Sequence, residues 1–170
     1  YAEHTVDIEQ LNFETYWGDK VYNPEKEESP VMKMVLKLAR AGTAIRILLN
    51  DDDVFKGQTF MPLMMDYVEA LVDPILAKAP RDNAATKAYL NKIASRDRLK
   101  LKVNLFSKEC GMAVLHNKGM VIDRNLTLVG SVNWGESAMK FNREAGVIVQ
   151  SDAVAEYYSK AFQNDWECSR

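Results

Sequence analysis

Residues 29–49 constrain the fold more than any other stretch of the chain. Ser29 followed by Pro30 is the start of a helix, a hydroxyl that caps and a ring whose φ is already helical. Val31, Met34, Val35, Leu38 and Ala39 then recur at helical spacing, and Gly42 ends the run as a C-cap. Ala44-Ile45-Arg46-Ile47-Leu48-Leu49 follows at once and reads as a largely buried strand. A helix that turns through one glycine into a buried strand is the second half of a β-α-β unit. It implies a parallel strand pair with helices packed on the sheet.

The remaining segments fit that class. Residues 4–16 alternate loosely (Val6, Ile8, Leu11, Phe13) and predict one or two short strands, and the polar stretch Gly18 to Glu28, with Pro24, predicts a loop. Residues 58–79 suit an amphipathic helix, ended or kinked at Pro74, whose Met-rich face is better explained by core packing than by lipid. Ala84 to Ser95 predicts a helix with Tyr89, Leu90 and Ile93 inward, and Leu101 to Leu105 a strand. Three more short strands are expected at 112–122, 126–130 and 145–149. A last helix over 152–166 has Val154, Tyr157, Tyr158, Ala161, Phe162 and Trp166 on its apolar side. The expectation is one α/β domain over 1–170, a mixed sheet flanked by helices in an α/β/α sandwich.

Composition narrows the class without naming a function. With 47% hydrophobic and 27% charged residues, the chain is neither disordered nor fibrous, and 170 residues suffice to bury a core without staples. Two cysteines, Cys110 and Cys168, lack zinc-ribbon spacing; pairing between them is left open. No apolar run is long enough to cross a membrane, and the first residues, Tyr1 to His4, do not resemble a signal peptide. The compartment stays unknown. A start without Met suggests a piece of a longer chain.

Charge is uneven. The net charge is −2, yet residues 1–30 carry two lysines against eight acids, whereas residues 78–108 carry nine bases against two acids, a net of +7. Such asymmetry marks either an anion-facing surface or the solvated face of a helix.

The chemistry concentrates at 115–133. His116 and Lys118 lie two apart on an expected strand, so both side chains leave one face, and an imidazole beside an ammonium suits attack on an anion. Asp123-Arg124-Asn125 marks the turn, and the returning strand delivers Gly130-Ser131-Val132-Asn133, a close-approach glycine, a hydroxyl and an amide. Glu144 follows in Asn142-Arg143-Glu144, a carboxylate able to orient an imidazole. Trp134, next to Asn133, is better explained by local packing than by stacking on a substrate.

Read without gaps, the run is H-x-K-x4-D-x6-G-S-x-N, and in this it resembles the phospholipase D superfamily. Six fixed positions make a chance match in such a length rarer than about one in 10⁵. The resemblance implies a single phospholipase D-like lobe. In it His116 attacks phosphorus to form a phosphohistidine, Lys118 and Asn133 hold the non-bridging oxygens, and Ser131 and Glu144 orient the histidine. Asp123 completes the motif, with a role more structural than chemical. No cofactor or metal is implied. The family's chemistry uses two histidines, and His4 has no such context. The expected partners are therefore a phosphodiester substrate, phospholipid or nucleic acid, and a second lobe, from a homodimer or from the same parent chain. The implied activity is a metal-independent phosphodiesterase or phosphatidyltransferase. The alternatives are a small endonuclease acting as a homodimer and a non-catalytic phosphate-binding lobe.

Overall fold

Strand β1 (Thr5–Gln10) lies inside a six-stranded sheet. Beside it run β4 (Ala44–Asn50) and then β5 (Leu101–Phe106), both parallel to it. On its other side come β6 (Lys118–Ile122), β7 (Leu126–Gly130) and β8 (Gly146–Gln150), each antiparallel to its neighbour. The order is β5-β4-β1-β6-β7-β8. The computed structural model describes residues 2–17, 27–51, 83–106, 108–112 and 114–169; the expected helix at 58–79 lies outside them.

The β-α-β unit forms as the sequence implies. Helix α1 (Pro30–Arg40) begins where the Ser29 hydroxyl accepts the Met32 N–H at 3.1 Å, and Gly42 follows it at φ 101°, a left-handed conformation that disfavours any side chain. Val6 and Ile8 of β1, with Ile45, Ile47 and Leu49 of β4, bury against Met32, Val35 and Leu36 of α1. Leu90 and Ile93 of α2 (Asn83–Asp97) complete that layer. Truncating one of these side chains to Ala costs about 2–5 kcal/mol.

The opposite face carries α4 (Asp152–Cys168) and a smaller cluster of Leu48, Phe106, Leu115 and Phe162. Its seat is partly polar. The Arg46 guanidinium makes two 2.7 Å hydrogen bonds to the Asp7 carboxylate and a third to Gln163, and lies over the Phe162 ring at 4.7 Å. A disulfide between Cys110 and Cys168 ties the 3-10 turn Lys108–Cys110 to the end of α4, which settles the pairing left open by the sequence.

Three local differences have physical causes. Glu27 and Glu28 (β3) pair with Tyr16 and Trp17 (β2), so the expected loop ends in a strand. Residues 114–117 form no strand, and β6 begins only at Lys118; the Leu115 N–H goes to the Asn50 side-chain oxygen at 2.9 Å in place of a sheet partner, while its side chain packs with Leu48, Phe106 and Phe162. Tyr157 is 70% exposed because α4 turns Ala155 and Phe162 inward, and position 157 falls off that arc.

Candidate active site

Two buried amides set the path of the chain into His116. Asn83, at the start of α2, donates to the carbonyls of Asn50 and Leu11 at 2.9 Å each, and its oxygen accepts the Phe13 N–H. Asn50, at the end of β4, in turn holds the Leu115 N–H. The segment that follows therefore leaves the sheet's C-terminal edge in a fixed direction. The sequence signal was weak: an asparagine ending an apolar strand, with its partners far away in the chain.

Lys118 is 8% exposed, although it is a lysine. Its ammonium reaches back to the His116 Nδ1 at 2.9 Å and to the His116 carbonyl at 2.7 Å. An ammonium has only protons to offer, so Nδ1 is the acceptor and the ring proton sits on Nε2. Burial holds the Lys118 amine below its usual range, and the Glu144 carboxylate works against that shift. His116 itself is exposed.

The next strand brings in the rest. Gly119 pairs with Val129, so Lys118 stands level with Gly130, one step further on. A side chain at Gly119 would put its Cβ 2.7 Å from the Leu128 carbonyl oxygen, and one at Gly130 would come 2.8 Å from that of Ala145. Both glycines let the strands close up under the site. Ser131 donates its hydroxyl to Glu144, accepts the Ala145 N–H at 3.1 Å, and is tied to Ala145 by its own main chain. Glu144 also accepts from the Asn142 amide at 3.1 Å. The Ser131 and Asn142 bonds, with the Lys118 charge, hold its carboxyl below the usual range. The Asn133 side-chain oxygen is buried without a hydrogen-bond partner among the described residues. Trp134 packs edge-on against Phe13 at 5.1 Å, part of the core and not of the site.

Asp123 is elsewhere. It follows β6 at the end remote from His116, and its carboxylate accepts the N–H groups of Glu3, His4 and Thr5 at 2.7–2.8 Å. Partial burial pushes this carboxyl up, and the three backbone donors together bring it below its ordinary value. The structure thus brings together His116, Lys118, Ser131 and Glu144, with Asn133 just beyond Ser131, and separates Asp123 from them. His4 lies at the Asp123 end too.

A cavity of ≈ 210 Å³ opens beside His116, walled by Asp7, Glu9, Asn117, Tyr158 and Phe162. Glu9 and Asn117 belong to no motif, yet the Asn117 amide donates to the Glu9 carboxyl at 2.6 Å. Among the described residues no three His, Cys, Asp or Glu side chains group as a metal site.

Known proteins resemble this chain in sequence and in fold. Mitochondrial cardiolipin hydrolase of Xenopus laevis is 34% identical over 53 residues, 31% of this chain and 25% of that protein. The Homo sapiens protein of the same name is 30% identical over 53 residues, 31% of this chain and 21% of its own. The match therefore spans a quarter or less of those relatives. The fold matches the phospholipase D family member Nuc from Salmonella typhimurium at TM-score 0.58 and 15% identity, covering 99% of this chain and 82% of that one. It also matches phosphatidylserine synthase of Haemophilus influenzae at TM-score 0.62 and 14% identity, covering 99% and 34%. The family model described as "Cardiolipin synthase, PLD-like domain" matches residues 2–166. The chain belongs to that family, within the phospholipase D superfamily.

Proposed function

We propose that the chain is one lobe of a phospholipase D-type phosphodiesterase that acts through a covalent phosphohistidine at His116. The observation that carries this is the 2.9 Å contact between the Lys118 ammonium and the His116 ring, beside the Ser131–Glu144 pair. A phosphodiester arriving here competes with the imidazole for the ammonium. Once Lys118 moves onto a non-bridging oxygen, Nδ1 is free to take the ring proton and Nε2 to attack. The N–P bond forms as the P–O bond breaks, and the leaving oxygen takes a proton from a second acid. Water or an alcohol then displaces the imidazole from phosphorus. Lys118 and the Asn133 amide stabilise charge on the phosphoryl oxygens, which is where most of the catalysis of such transfers comes from. Ser131 and Glu144 orient the site.

In the two-histidine chemistry the motif resembles, the second acid is a histidine from another lobe. The one other histidine of the chain, His4, stands a strand length away, six residues or about 20 Å. Edge strand β8 offers the surface for such a lobe: it adjoins Ser131 and Glu144, with Val147 59% and Ile148 67% exposed. That lobe is a second copy of this chain or a further part of the same parent.

For substrate, the names of the family and of the curated relatives favour a phosphatidyl phosphodiester. A nucleic acid is the second reading, favoured by the lysines of α2 and β5. These elements lie across the sheet from His116, three strand spacings or about 14 Å from β6, so only a long polyanion touches both. Neutralising Lys87, Lys92 and Arg96 separates the two: steep salt-dependent loss of DNA binding supports the nuclease, and a flat response supports the lipid. The central test is turnover of a chromogenic phosphodiester with EDTA present, followed by mass spectrometry of the quenched protein. A phosphoryl adduct on His116, lost in His116→Ala, supports the reading. Ligand binding that survives His116→Ala, with no turnover in either form, points to a binding lobe instead.

A further inference from the structure

Glu9 occupies a place where a carboxylate is hard to keep. The alternation of β1 turns it to the α4 side, where it is 8% exposed. Its Oε2 accepts the Asn117 amide at 2.6 Å, and its Oε1 is buried with no hydrogen-bond partner among the described residues. The charged groups around it offer little relief. Asp7, on the same face of β1, already holds Arg46 of β4 in two hydrogen bonds. Asp165 of α4 adds a further negative field. On the β6 side, His116 and Lys118 flank Asn117 itself, and Lys118 is engaged by His116. Tyr158 of α4 shares the cavity wall.

We propose that Glu9 is a positioning residue for the H-x-K segment: its carboxyl holds Asn117, and through Asn117 the main chain that carries His116 and Lys118. It does so in its protonated form, the larger population below about pH 7. Burial, chiefly, pushes its pKa up to about 7, against the Asn117 hydrogen bond, so the group changes charge near neutrality. The neutral acid keeps the Asn117 bond and places no charge beside Asp7 and Asp165. Once ionised, the carboxylate tightens its hold on the Asn117 amide and so pulls on the segment between the two motif residues. The device gives the site an alkaline limit set by Glu9, in addition to the one that comes with loss of the Lys118 proton.

Two measurements test this, one independent of turnover. NMR titration follows the Glu9 carboxyl carbon and the two imidazoles, with His4→Asn used to assign His116. The expected result is a Glu9 midpoint near 7 and a matching inflection in the His116 ring signals. That inflection disappears in the near-isosteric Glu9→Gln. In Asn117→Ala, Glu9 still titrates but His116 no longer follows. The kinetic arm rests on the phosphoryl-transfer reading above: the turnover ratio of Glu9→Gln to wild type should rise at least threefold from pH 6 to pH 8.5. A His116 signal identical in wild type and Glu9→Gln, or a ratio flat with pH, overturns the proposal. An imidazole that follows Glu9 in an assembly holding both lobes, but without turnover, leaves the positioning intact and sinks the phosphoryl-transfer reading. Turnover with an indifferent imidazole does the reverse.

Discussion

The two halves of the sheet solve different problems. In β5-β4-β1 the strands are parallel, and Ile45, Ile47 and Leu49 on one face and Leu48 and Phe106 on the other are buried under helices. In β6-β7-β8 the strands are antiparallel, and the outermost leaves Val147 and Ile148 open to solvent. Parallel strands are covered on both faces because their crossovers bring helices with them. Hairpin-linked strands need no crossover, so their far edge stays free. The motif side chains lie in that second half. A scaffold covered on both faces holds steady a half whose outer strand is open.

The comparison breaks first at His116. His116→Ala should lower phosphodiester turnover roughly 10⁴-fold with the fold intact, because no other group takes over a covalent nucleophile's role. Asn50→Ala, in the scaffold half, should instead lower both stability and turnover, since the Leu115 N–H loses its buried acceptor. If Asn50→Ala is as inactive as His116→Ala while equally stable, the division between scaffold and chemistry is wrong.

Next in size is the disulfide, which joins the end of the parallel half to α4. Cys110 and Cys168 are 58 residues apart, and a closed loop of that length contributes about 4 kcal/mol in the chain-entropy account. Thermal unfolding with and without reductant measures it. A fall in Tm of only a degree or two would mean that the Leu48, Phe106, Leu115 and Phe162 cluster holds α4 by itself.

The free edge should give a smaller, concentration-dependent effect. Ile148→Glu places a charge on a strand that needs no internal partner at that position, so the monomer should keep its stability. If two copies complete the site, sedimentation should show the dimer lost and turnover reduced about 100-fold. An active monomer would remove the case for a shared site.

How far these halves were legible in the sequence follows from the range of the forces involved. The Ser29 cap, the helix α1 and the apolar run of β4 are local signals and formed as read. The buried face of α1, however, is rotated from the expected one: Met34 is 58% exposed, and Met32 and Leu36 are buried with Val31, Val35 and Ala39. The H-x-K and G-S-x-N residues are local too, joined by one hairpin. Glu9 and Asn50 were not legible as parts of the site, since Asn117 lies 108 residues beyond the first and Leu115 65 residues beyond the second. Nothing in the neighbourhood of either residue announces such a partner. The expected strand at 112–122 is the instructive case, since pairing begins only at Lys118. The Leu115 side chain is buried against Leu48, Phe106 and Phe162 while Asn50 takes its N–H, so its burial does not come from strand pairing.

The smallest expected effect separates the two ends of β6. Asp123 and Arg124 turn the hairpin at positive φ, 49° and 55°, and the Asp123 carboxylate gathers three N–H groups from the N-terminal segment. Asp123→Ala should therefore cost about 2 kcal/mol in stability, the scale of charge-assisted hydrogen bonds at a partly exposed site. Turnover of the folded protein should fall less than tenfold, against the far larger loss at His116. The pH dependence has a definite sign. The folded carboxyl lies below its unfolded value of 3.8, so this contribution is fully present above about pH 4. It is lost as the pH falls through the lower folded value. Wild type and Asp123→Ala should thus converge in stability on acidification and stay apart at neutral pH. A gap in stability that persists undiminished at pH 2, or a turnover loss rivalling His116→Ala, would move Asp123 from the staple to the chemistry.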